Sequence, residues 1–137
     1  MSELHVNKGL WGTPSEVADR DRATSINPAA FEAAALLISA SFQEHALPGV
    51  PGHEPDPVAG AAHARQVGEA MSPIRAITPG AGSYVNETDY FEPDWQASFW
   101  GANYPRLLEI KRSRDPANLL RVHHGVGSEL TITPAAH

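Results

Sequence analysis

The sequence contains no cysteine, and this absence excludes several kinds of chemistry. Without thiols the chain forms neither disulfides nor thiolate metal sites, and it has no thiol nucleophile. Positive charge is also scarce, because ten lysines and arginines stand against sixteen acidic residues and give a formal net charge of -6. Proteins that bind nucleic acid use an excess of cations to displace phosphate counterions, so no nucleic-acid partner is expected.

Long apolar runs and phosphate-binding glycine loops are missing as well. No stretch approaches the roughly 18 apolar residues of a membrane-spanning helix, and the first residues contain no apolar signal region. We therefore expect no membrane partner and, by default, a cytoplasmic location, while a longer parent protein could be secreted. Gly-x-Gly-x-x-Gly, Walker and Gly-x-Ser-x-Gly motifs are absent, so neither a Rossmann-type dinucleotide site nor an α/β-hydrolase is indicated.

Proline and glycine are frequent, at twelve and eleven residues, and they separate segments with helical patterns. Asn27 before a proline is a helix start signal, and the apolar residues after it recur at helical spacing, which predicts a helix over residues 28–42. The pair Asp56 and Pro57 repeats this signal and predicts a second helix, which Pro73 ends or kinks.

The second half of the chain has shorter predicted elements, and the first residues add one extended piece. In chain order these are an extended piece over 5–10, a strand over 83–86, a helix from Pro93 to a stop at Gly101, a helix capped by Asn103 and ended by Asp115, and a last strand over 119–126. The predicted fold class is therefore α+β, rich in helix, with short strands.

Residues 82–129 carry six motifs in a fixed order. They are Tyr-x-Asn, a Trp-Gln helix, an aromatic-Gly-x-Asn-Tyr turn, a basic helix, Asp-Pro and a closing strand. This order resembles the C-terminal segment of the berberine bridge enzyme-like flavoproteins, which are FAD-linked oxidoreductases of the vanillyl-alcohol oxidase superfamily. The resemblance implies a berberine-like segment over 82–129, a linking, helical part of the substrate domain over 1–81, and a flexible tail over 130–137.

The same resemblance implies a function. The chain resembles the C-terminal portion of an enzyme that oxidises a C-H bond beside oxygen or nitrogen by hydride transfer to FAD. In this family an N-terminal domain holds the FAD and carries the histidine used for covalent attachment, and the sequence contains no counterpart of it. We therefore expect a small-molecule substrate in the complete enzyme, an N-terminal FAD-binding domain or subunit as partner, and neither activity nor tight FAD binding in this chain alone.

Two other functional classes stay open. The chain could be a stand-alone, non-catalytic remnant or an interaction module that docks on a flavin-binding partner. Helices and aromatic residues that would face missing partners expose apolar area, which predicts association and weak cooperative stability. The third class, a histidine-metal hydrolase, has the least support, as the histidine pattern below explains.

Three residues are candidates for the site by resemblance. Tyr84 is the candidate catalytic residue, since a phenol beside the flavin can bind the substrate or help to accept its proton. Asn103 and Tyr104 are the candidate cofactor-binding residues, because an amide can meet a flavin carbonyl or ring nitrogen. Structural roles stay open for the same residues: a strand tyrosine packs its ring and exposes its hydroxyl, and Asn103 can cap its helix.

Seven histidines raise the question of a metal site. His123 and His124 are adjacent, and neighbours in a strand point to opposite faces, so the pair is not expected to chelate one ion. The other five histidines have no HxxxH or HExxH spacing. No metal site is predicted.

Overall fold

The computed structural model describes residues 1–6 and 12–130. Its elements in chain order are strand β1 (Ser2–Val6), helix α1 (Ser15–Arg22), helix α2 (Ala29–Glu32), strand β2 (Ala35–Ser39), helix α3 (Pro57–Ile77), helix α4 (Trp95–Trp100), a 3-10 turn (Gly101–Asn103) and helix α5 (Tyr104–Arg114). Helices with one two-stranded sheet make an α+β fold, so the predicted fold class is confirmed.

The chain divides into two compact units. The first comprises residues 1–8 and 34–79, and the second comprises residues 9–33 and 80–137, each in its described part. The family-based boundary between 81 and 82 stays a prediction, and the predicted tail after residue 130 lies outside the described residues. Nowhere in the described ranges does a helix combine the length and the apolar character needed to cross a bilayer.

The first unit contains the two-stranded antiparallel sheet. β1 pairs with β2 in a register that sets Ser2 opposite Ser39 and Leu4 opposite Leu37. The predicted helix over 28–42 is therefore wrong. Within these residues only α2 is helical, and the chain continues into strand β2. Pairing with β1 gives backbone N-H and C=O groups of β2 their hydrogen-bond partners. This gain outweighs the helix preference that the spacing of the apolar residues indicates. Of the extended piece predicted over 5–10, residues 5 and 6 belong to β1, and residues 7–10 lie outside the described residues.

Helix α3 begins where the sequence predicts. The Asp56 carboxylate accepts hydrogen bonds from the backbone N-H groups of Val58 and Ala59, at 3.0 and 2.9 Å, which satisfies two of the free donors at the helix start. Pro57 occupies the first turn, where its missing N-H is not needed. Of the two effects predicted for Pro73, a helix end is wrong, because α3 continues to Ile77, and a kink stays a prediction.

The second unit is built around α4 and α5. Phe99 of α4 is 3% exposed, and Trp95 packs near it at a centroid distance of 6.3 Å. Gly101 ends α4 with a positive φ of 53°, as predicted for a glycine stop. α5 ends before Asp115, which is also as predicted.

Both predicted strands of this unit are wrong. Residues 83–86 enter a turn, in which the N-H of Glu87 donates to the carbonyl of Tyr84 at 3.1 Å. Residues 119–126 form no strand either, because side chains of α5 and the following turn bind their backbone groups. A segment whose N-H and C=O groups are satisfied by side chains has no need of a strand partner.

Candidate functional site

The turn after α4 is fastened by Asn103. Its side-chain amide donates to the backbone carbonyls of Thr24, at 3.1 Å, and Ile26, at 2.8 Å. Asn103 stands at the N-cap position of α5 but makes no side-chain capping bond, so its predicted cap role is wrong. Both donors of the amide are occupied, and within the part of the chain that the structure describes its Oδ1 is the remaining atom for an outside partner.

A second asparagine holds the same turn from the other direction. Asn27 donates to the carbonyl of Ser98 at 2.8 Å and accepts from the N-H of Ala29 at 3.0 Å. Gly82 and Gly101 lie directly against its side chain, since a Cβ added at either position would come within 2.6 Å of the Asn27 amide. The glycines therefore allow the close approach that the two asparagines fix. The sequence pattern indicated Asn27 as a helix start but contained no signal for these contacts.

Tyr104 fastens the end of the described chain to α5. Its hydroxyl donates to Glu129 at 2.5 Å and accepts from the N-H of Gly127 at 3.3 Å. Burial, followed by the hydrogen bond to the Glu129 carboxylate, raises the pKa of Tyr104 to about 12. The ring packs edge-on against Trp95 at 5.6 Å. The hydroxyl thus stays protonated and engaged within the chain.

Tyr84 lies in a turn with its side chain half exposed. Its hydroxyl accepts a hydrogen bond from the Asn86 side chain at 2.8 Å, and the phenolic proton has no acceptor among residues 1–6 and 12–130. The residue is 49% exposed. Because Tyr84 has no described contact with Asn103 or Tyr104, the structure does not bring the three predicted site residues together in one hydrogen-bonded group.

A buried carboxylate close by was not predicted. Glu92 is 3% exposed, and its Oε1 accepts from the hydroxyls of Ser98, at 2.8 Å, and Ser83, at 3.3 Å. The N-H of Ser83 also donates to the carbonyl of Ser98 at 2.8 Å. These bonds give a buried polar side chain its hydrogen-bond partners, and they join Ser83 to α4.

His123 and His124 belong to a column of stacked rings. The rings of the two histidines lie 3.8 Å apart, Tyr90 stacks on His123 at 3.9 Å, and Trp95 stacks on His124 at 5.3 Å. His124 has a positive φ of 56°, so the two rings turn to the same side instead of opposite sides as in a strand. Within the described ranges, no group of three or more metal-binding side chains lies close enough to hold an ion.

The turn after α5 is stabilised by a hydrogen-bond network around Asp115, which the sequence pattern did not predict. The Asp115 carboxylate accepts from the N-H groups of Leu119, at 2.9 Å, and Leu120, at 2.8 Å, and from the ammonium group of Lys111. The bond from Lys111, reinforced by the two amides, lowers the pKa of Asp115 to about 2. Lys111 also donates to the carbonyl of Leu120. The Asp-Pro motif was predicted to make a turn, but its spacing gave no sign of this network.

Comparisons with known proteins identify relatives of this chain. The family described as "Berberine and berberine like" matches residues 83–127. The FAD-linked oxidoreductase ZEB1 of Gibberella zeae is 50% identical over 60 residues, which is 44% of this chain and 11% of that protein. The FAD-linked oxidoreductase penH of Penicillium thymicola is 33% identical over 135 residues, which is 94% of this chain and 22% of that protein.

A solved structure supports the fold as well. The VAO-type flavoprotein MtVAO615 of Myceliophthora thermophila C1 aligns with a TM-score of 0.59 and 34% identity, over 78% of this chain and 18% of that one. The chain thus spans between a tenth and a quarter of the length of these relatives. Two of these relatives are FAD-linked oxidoreductases, and the third is a VAO-type flavoprotein. The chain therefore carries the berberine-like segment of the flavoproteins of the vanillyl-alcohol oxidase superfamily.

Proposed function

We propose that the chain supplies the berberine-like part of an FAD-dependent oxidoreductase, which oxidises a C-H bond beside oxygen or nitrogen in a small molecule. The observation that carries this proposal is the match over residues 83–127, together with the side-chain network that shapes that segment. A flavin-binding domain or subunit is the partner that the proposal requires.

The groups in this segment suit contact with the flavin ring more than contact with the phosphates of FAD. The sequence has no glycine-rich phosphate loop. Near the turn, Asn103 has a free amide oxygen, and the indole N-H of Trp100 is buried with no hydrogen-bond partner among the described residues. An acceptor and a donor flanking Gly101 match the donors and acceptors on the edge of a flavin ring. A cofactor carbonyl would give the Trp100 N-H the partner that it lacks here.

Tyr84, Asn103 and Tyr104 have separate roles in this proposal. Tyr84 binds the substrate and orients the hydrogen to be removed, because its hydroxyl proton is free while Asn86 holds its oxygen. Asn103 presents its amide oxygen to the cofactor. Tyr104 keeps the turn beside the cofactor in place through Glu129 and Gly127. FAD, when bound, supplies the hydride acceptor.

A segment exchange tests the proposal. Residues 83–127 would replace the matching segment in the FAD-linked oxidoreductase ZEB1, whose likeness to this chain reaches 50% identity. We expect the exchanged protein to retain bound flavin and to reduce it with the substrate of that enzyme. Tyr84→Phe should lower the rate of flavin reduction at least tenfold with flavin content unchanged. Loss of flavin from the exchanged protein, with the parent intact, would contradict the proposal.

The apolar surface of the second unit favours one other candidate, a docking module without catalysis. Leu119, Leu120 and Val122 are 75%, 80% and 70% exposed, although the Asp115 side chain binds the backbone of the two leucines. Such a surface suits a protein partner. In that case the exchanged protein would keep its flavin and its rate of flavin reduction when Tyr84 is replaced, which separates the two candidates.

A further inference from the structure

The ring column joins two parts of the second unit through a pair of titratable side chains. Tyr90 and Trp95 flank the histidine pair, and the carbonyl of Tyr90 accepts a hydrogen bond from Nε2 of His123 at 2.7 Å. Phe99 meets the ring of His124 edge-on at 5.9 Å. The turn over residues 121–127 is thereby attached to α4 and to the turn before it through aromatic stacking.

We propose that this column is an acid-sensitive latch, which holds the turn over residues 121–127 against α4 while His124 is neutral and releases it when His124 takes up a proton. The proposal concerns the chain itself and does not depend on the proposed enzyme function.

Burial, more than the surrounding charges, favours the neutral form of His124. A protonated ring would lie between the ring of His123, at 3.8 Å, and the ring of Trp95, at 5.3 Å. The groups that face it electrostatically are His123, which opposes a positive charge, and Glu92 and Asp89, which favour one. Burial, followed by repulsion from His123, outweighs the two carboxylates and lowers the pKa of His124 below its usual 6.5.

The sign of the pH effect follows from that lowered pKa. In the open turn His124 is solvated and protonates near its ordinary pKa, whereas in the closed column it resists protonation. The closed form is therefore fully favoured above about pH 6.5 and loses its advantage as the pH falls through the lower pKa of the closed form. Opening also frees His124 from its positive φ of 56°, which an L residue rarely adopts.

Proton NMR of the 137-residue chain tests the latch. At pH 7.5 we expect cross-peaks between the rings of His124 and Trp95, and these should vanish as His124 titrates below pH 6.5 while the cross-peaks within α5 remain. His123→Phe should raise the pKa of His124 towards 6.5, since it removes the opposing charge but keeps a ring. His53→Gln, a change of an exposed histidine in the other unit, should leave the His124 titration unchanged.

His124→Phe provides an independent check, because a ring that cannot take up a proton should keep the turn closed at acid pH. If this variant fails to fold, the cross-peaks and the His123→Phe titration in the unaltered background decide the question. The latch is overturned if the His124–Trp95 cross-peaks are absent at pH 7.5. It is also overturned if they survive protonation, or if α5 loses its cross-peaks in the same step, which would mean global acid unfolding.

Discussion

At the scale of single residues, Asp115 gives the clearest pH dependence. Its pKa of about 2 lies below the ordinary 3.8, because the folded chain surrounds the carboxylate with donors. The carboxylate therefore stabilises the fold above about pH 4, and that stabilisation is lost as the pH falls towards 2. Asp115→Asn should lower the free energy of unfolding at pH 7 and remove this part of the acid dependence.

Urea unfolding measured between pH 2 and pH 7 checks this expectation. Asp19→Asn is the matched control, because the Asp19 side chain is 79% exposed and its contact with Arg22 is 3.8 Å long. The expectation fails if the two variants lose the same stability, or if the acid dependence of Asp115→Asn equals that of the unaltered chain.

Gly101 is a second residue whose replacement should change the stability of the fold. A side chain there would require an unfavourable φ of 53° and would clash with Asn27. Gly101→Ala should therefore lower the free energy of unfolding by about 1–3 kcal/mol. Gly68→Ala, inside α3 with open space around it, should instead raise it by about 0.5–1 kcal/mol. Urea unfolding, monitored by circular dichroism, measures the free energy of unfolding of both variants. Changes of the same sign and size in the two variants would contradict the expected role of Gly101.

At the scale of elements, local signals predicted α3, α4 and α5, but they missed α1 and the pairing of β1 with β2. α3 could be predicted because Asp56 and Pro57 define its start by contacts within one turn. β2 could not, because its partner β1 is far away in the sequence and the apolar spacing favours a helix. The segment over 119–126 has strand-like residues, but Asp115 and Lys111 bind its backbone.

The same distinction applies to the candidate site. The aromatic-Gly-x-Asn-Tyr motif indicated Asn103 and Tyr104, while their partners Thr24, Ile26 and Glu129 carry no recognisable spacing. Long-range bonds of this kind depend on the folded path of the chain, and local sequence patterns do not reveal that path. The catalytic role of Tyr84 and the cofactor roles of the other two residues stay predictions.

Replacing Pro73 should stabilise helix α3. A proline inside a helix removes one backbone hydrogen bond and clashes with the preceding turn, at a cost of up to about 3 kcal/mol. Pro73 is exposed, so its replacement sacrifices little packing. Pro73→Ala should raise helix content and the unfolding temperature of the first unit, whereas Pro57→Ala in the first turn should change them little. Thermal circular dichroism measures both, and an unchanged Pro73→Ala variant would contradict the expectation.

At the scale of the whole molecule, apolar burial is sparse. Across the described residues, Ala18 and Phe99 are the apolar side chains that are almost fully buried. A chain of 137 residues that packed alone would bury roughly two thirds of its unfolded surface around a larger core. Since the chain covers only 18% of its solved relative, we expect the rest of such a flavoprotein to cover much of the apolar area that is exposed here.

Leu119 and Leu120 let this expectation be tested in the isolated chain. Asp115 and Lys111 fix their backbone, so the two side chains cannot turn inwards to escape water. We expect the chain to associate as its concentration rises, and Leu119→Ser with Leu120→Ser should shift it towards the monomer in sedimentation velocity. Val58→Ser is the control, because Val58 is 78% exposed but lies on α3, outside this patch. If Val58→Ser has the same effect as the double leucine variant, or if the unaltered chain is a monomer at every concentration, Leu119 and Leu120 do not drive association.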